Sequence, residues 1–70
     1  MEIGQFKKAL AAYQKSDALA PNQPIVQLNT GVVLDKLGRP AEARELWKRV
    51  LTMGDPIAAM LAEGNLNRLP

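Results

Sequence analysis

The sequence contains no cysteine and no histidine. Without thiols there is no disulfide and no thiolate metal site, and without imidazoles the commonest acid–base group is missing too. Aromatics are scarce: one Phe, one Tyr and one Trp. No apolar run approaches the ~20 residues that a membrane-spanning helix needs. The opening MEIGQFKKAL lacks a basic leader followed by an apolar core. Neither membrane association nor a secretory signal is therefore expected. Charge of one sign is not concentrated either. Nine Lys and Arg oppose seven Asp and Glu, for a net +2, and the longest basic runs are the pairs Lys7–Lys8 and Lys48–Arg49. Dispersed charge of this kind solvates a surface and argues against a nucleic-acid partner. The lack of cysteine fits a reducing compartment, which favours the cytoplasm without requiring it.

These absences weigh heavily because the chain has only 70 residues. A chain of that size is one small domain, and it hides only about 60% of the surface its unfolded form exposes. Disulfides and metals, the usual staples of small folds, are excluded. Tight helix packing or association with another chain remains.

Breakers divide the sequence into four helical segments. The first runs from about Gln5 to Leu19 and is closed by APNQP, where Pro21 and Pro24 bar continuation. The second runs from about Pro24 to Leu37, with Pro24 at its first position and Gly38 as a left-handed stop. The third starts at Pro40 and ends near Met53, before GDP; the fourth spans about Pro56 to Asn67. Apolar residues recur at helical spacing, as in Phe6, Leu10 and Tyr13 or Ala43, Leu46, Trp47 and Val50. Nothing alternates with period two for long enough to make a strand. The fold class expected is all-α.

Sliding the sequence against itself by 34 positions aligns Gly4 with Gly38, Ala9 with Ala43, Tyr13 with Trp47, Lys15 with Arg49 and Leu19 with Met53. Five matches in order, in physicochemical class, mark an internal repeat. Gly38 then belongs to a turn between antiparallel helices, and Gly4 reads as an earlier copy of that turn.

A helical hairpin of this period resembles the tetratricopeptide repeat family, and TGVVLDKLGRPAEA (30–43) is similar to the centre of that repeat. DALAPNQ (17–23) and TMGDP (52–56) resemble the endings of its units. The resemblance implies a short solenoid of four antiparallel helices in one domain, 1–70. Residues 1–23 match the second helix of a unit, 24–57 a complete unit, and 58–70 the first helix of a next unit or a capping helix. It implies that Gly31 lets Ala43 approach closely. Where the family has a large aromatic early in the first helix, this chain has Gln27; Thr30, Leu34, Ser16 and Val50 also depart from the pattern.

Little in the sequence speaks for catalysis. Glu42 and Glu45 stand three apart on an exposed helix, where they meet basic side chains, with Glu45 and Arg49 as a favourable i,i+4 pair. Trp47 and Tyr13 read as core fillers, not as platforms for bases. No enzyme activity, cofactor or metal is expected. The second helix carries more information because it has two apolar stripes. Val26, Thr30, Val33, Leu34 and Leu37 should face the third helix, while Ile25, Leu28 and Val32 lie on another face, followed by Asp35 and Lys36. Two stripes mean either a sandwiched helix or a face left for a ligand. In the family it resembles, these positions line a concave groove that holds peptides, with Leu61, Asn65 and Arg68 as counterparts in the fourth helix. Leu28 and Val32 stand where some members carry the Lys and Asn that clamp a peptide carboxylate, so that clamp is not implied. The leading expectation is a module that binds a peptide or protein partner in this groove. Self-association with another copy is the alternative, through a face of Phe6, Leu10 and Tyr13 left bare on the first helix, and a nucleic-acid-binding helical repeat stands third, against the dispersed charge.

Overall fold

A computed structural model describes residues 3–69, and these contain four α-helices and no strand. They are α1 (Ile3–Leu19), α2 (Pro24–Lys36), α3 (Pro40–Val50) and α4 (Pro56–Arg68). Proline occupies the first turn of α2, α3 and α4, where its missing N–H costs nothing and its fixed φ already suits a helix.

The turn after α2 is built as the glycine suggests. Gly38 sits at φ +79°, its N–H donates to Asp35 O at 3.0 Å, and Arg39 N–H donates to Leu34 O at 2.8 Å. That pair of bonds satisfies two carbonyls left over at the helix end, and the left-handed residue it needs is cheapest as glycine. The connection before α2 uses Asn22 at φ +67°, a conformation asparagine tolerates better than most side chains. Asp55 caps α4, its Oδ1 accepting from the N–H groups of Ile57 and Ala58 at 3.1 Å each.

Three expectations need correcting. Gly4 lies inside α1 and marks no turn. The third helix stops at Val50, short of Met53: Thr52 and Met53 donate three residues back, to Arg49 and Val50, and Gly54 then turns left-handed at φ +83°. Most consequential is Gly31. A Cβ built there would fall 2.4 Å from Trp47 Nε1, so the closest approach is made by the indole ring of α3.

Trp47 is the centre of the fold. It is 2% exposed, and its indole N–H donates to Leu28 O at 3.1 Å, tying α3 to the backbone of α2. A buried indole needs such a partner. Around it lie Ala43, Val50, Ala58 and Ala62, none with any exposure, together with Leu28, Val33 and Leu34. The alanines of α4 bring that helix close to the Trp47 layer. Neighbours in sequence pack on one another, and α2 also touches α4, while α1 has only α2 beside it. The result is a plate of 32 × 32 × 16 Å instead of a closed bundle.

Candidate functional site

A sandwiched α2 decides what the groove residues can do. Leu28, expected in the groove, is 5% exposed and belongs to the core. With α1, α3 and α4 all packed on α2, its middle apolar position has no open side. Ile25 and Leu61 stay half-exposed, at 48% and 47%. The remaining five expected residues are brought together. Val32, Asp35 and Lys36 of α2 and Asn65 and Arg68 of α4 line one hollow of about 240 Å³, floored by Trp47 and Leu69. The C-terminal ends of α2 and α4 therefore lie side by side. Arg68 donates to the side-chain oxygen of Asn65, so two polar groups of α4 are held as a unit. The hollow has an apolar floor and a charged rim of one carboxylate and two cations.

The self-association face fares differently. Leu10 is 8% exposed, and Phe6 and Tyr13 are half-buried against the same core. Helix α1 has one neighbour and turns its one apolar stripe onto it, so that stripe is largely covered. Apart from Leu19 at the end of α1, the barest large apolar side chains lie on α4, where Ile57 and Met60 are 65% and 67% exposed beside Leu61. Gly64 on that same side has nothing within 4 Å of where a Cβ would sit.

A second concavity was not anticipated from the sequence. α1 and α3 both pack on α2 without touching each other, and the gap between them is a cleft of about 350 Å³. Tyr13 and Asp17 form one wall, Glu42, Glu45 and Arg49 the other, and Gln27 lies in the floor. Gln27 is 6% exposed; its Nε2 donates to Asp17 Oδ1 over a long 3.4 Å, and its Oε1 has no partner. Apolar periodicity gives no signal for this cleft, since the helical neighbours of Gln27 are Gln23, Pro24, Thr30 and Gly31. The ion pair on α3 also differs from expectation: Glu42 meets Arg39 at 2.6 Å, while among the described residues Glu45 and Arg49 do not pair.

No group of His, Cys, Asp and Glu among the described residues is arranged to hold a metal ion, and none of the described helices is long and apolar enough to cross a membrane. No protein-family profile, curated protein or solved structure matches this chain.

Proposed function

We propose that the chain is a protein-interaction module of tetratricopeptide-like organisation, holding a segment of a peptide or protein partner across α2 and α4. The observation that carries this reading is the meeting of Val32, Asp35, Lys36, Asn65 and Arg68 around one hollow. An apolar floor with a few fixed polar groups at the rim is the general make-up of a binding site. Ile25 and Leu61 offer further apolar area on the same two helices. On this reading 24–57 is one whole unit, 1–23 supplies the helix before it and 58–70 the helix after.

The test is a random peptide library selected against the chain, followed by affinity measurements on two exposed-site variants. Leu61→Glu and Arg68→Glu should each weaken the selected peptides at least about tenfold, the scale of losing one well-placed contact. Melting temperature should stay within a few degrees, because both side chains are exposed. Peptides that bind all three proteins equally would remove the groove reading.

A second reading has its own support. The uncovered Ile57, Met60 and Leu61 on α4 form the kind of contiguous apolar surface that marks an association site. Self-association through α4, and not through the first helix alone, is the form it takes. Sedimentation over a dilution series decides it: Ile57→Lys with Met60→Glu should leave a monomer at every concentration, whereas an unmutated chain that is already monomeric at high concentration rules it out.

A further inference from the structure

We propose that the cleft between α1 and α3 is a receptor for one guanidinium group, presented by an arginine of a partner protein. It lies on the opposite side of α2 from the hollow described above and is independent of that reading. Its volume, about 350 Å³, stands at the low end of ligand pockets, which run from about 300 to 1,000 Å³. It has room for one long side chain and none for a large cofactor.

The charged groups of the lining are mostly acidic. Asp17, Glu42 and Glu45 face a single cation, Arg49. Glu42 is already held by Arg39, which leaves Asp17 and Glu45 on opposite walls as carboxylates with capacity to spare. Gln27 supplies an independent sign. Its Oε1 is an acceptor shielded from water, and neither Arg49 nor any other donor reaches it. An unpartnered buried acceptor is costly, and its cost falls when a ligand brings a donor. The other end of that amide donates to Asp17 over 3.4 Å, a long bond that holds the amide weakly.

Three features select guanidinium over other groups. The acceptors stand on the floor and on both walls, so the ligand must donate in several directions from one plane, as a guanidinium does with five N–H groups. The Tyr13 ring forms part of the wall, and a flat, weakly hydrated cation stacks on such a ring better than a compact ammonium. An anion would meet the carboxylates, and an apolar group would leave Gln27 Oε1 unpaired.

Nuclear magnetic resonance titration of the whole chain with blocked Gly-Arg-Gly tests this, with Gly-Lys-Gly and the citrulline peptide as controls. The arginine peptide should shift the amides of residues 13–17 and 42–49 saturably. The citrulline and lysine peptides should bind at least about tenfold more weakly, since one lacks the charge and the other the planar fork. Gln27→Leu and Asp17→Asn should each reduce arginine binding several-fold. Equal binding of citrulline or lysine overturns the assignment, as does an arginine response spread over acidic side chains elsewhere or the absence of any saturable shift. The peptide comparison on the unmutated chain stands by itself if either variant fails to fold.

Discussion

Helices α2 and α4 begin alike and end in different surroundings. Each has 13 residues, opens with Pro-Ile and carries a glycine in its second half. α2 is packed by three helices and buries five residues, including the polar Gln27; α4 is packed by two and buries only Ala58 and Ala62. Gly31 is pressed against the Trp47 ring, and Gly64 faces open space. The same residue type thus serves close approach in one helix and only weakens the other. What a helix contributes here depends on its number of neighbours more than on its composition.

That contrast is broken most forcefully at the residue that creates it. Trp47→Ala removes the ring that joins α2 to α3 and its hydrogen bond to Leu28 O, and it should cost about 3–5 kcal/mol. A domain of this size has of order 4–10 kcal/mol in all. Circular dichroism should therefore show a broad or absent thermal transition; a cooperative melt near the parent's temperature would mean the indole is not central.

Glycine offers the direct comparison. Gly31→Ala places a Cβ inside the space of Trp47, which is buried and hydrogen-bonded and has nowhere to move. The overpacking term of about 1–3 kcal/mol outweighs the ~1 kcal/mol that alanine gains in a helix, so the net effect is destabilising. Denaturant midpoints should fall, and a rise would show that the indole can yield.

Capping sharpens the contrast from the other end. Asp55 caps α4 with two hydrogen bonds, whereas Gln23 before α2 makes none with its side chain. Asp55→Ala should cost about 0.5–2 kcal/mol, concentrated in a helix that has fewer contacts to hold it. Loss of α4 amide protection in hydrogen exchange, without equal loss in α2, checks this.

The smallest effect has the opposite sign. Gly64→Ala meets no neighbour and should stabilise by up to about 1 kcal/mol. Together the two alanine substitutions should move the denaturation midpoint in opposite directions. Movement in the same direction would contradict the packing described for α2 or for α4.

The helix starts were legible because they depend on local chemistry. Pro24, Pro40 and Pro56 stand where they were expected, and Gly38 stops α2 left-handed. Partners were harder to read. Periodicity separates the wet side of a helix from the dry side, but it does not say which neighbour covers the dry one. Leu28 was assigned to a groove because its stripe was distinct, and it lies inside because a third helix covers that stripe. Gly31 was matched to Ala43 as small residue to small residue. The large Trp47 reaches across from the next turn and takes the space. Likewise, a repeated glycine at Gly4 carried no information about backbone conformation, since glycine fits a helix interior as well as a turn, at a modest cost. Five of the residues expected in a groove meet at the charged hollow, because positions on one face of α2 and α4 needed only a side-by-side arrangement to come together.

The pattern of helix contacts also governs how fast the chain finds this arrangement. Connections of three to five residues join the helices, and every packed pair except α2 with α4 is consecutive in sequence. Such a topology has low contact order, which places folding in the microsecond to millisecond range. The α2–α4 contact is the one that must wait for a whole intervening helix to be in place. Docking of α4 onto α2 should therefore come late on the folding path.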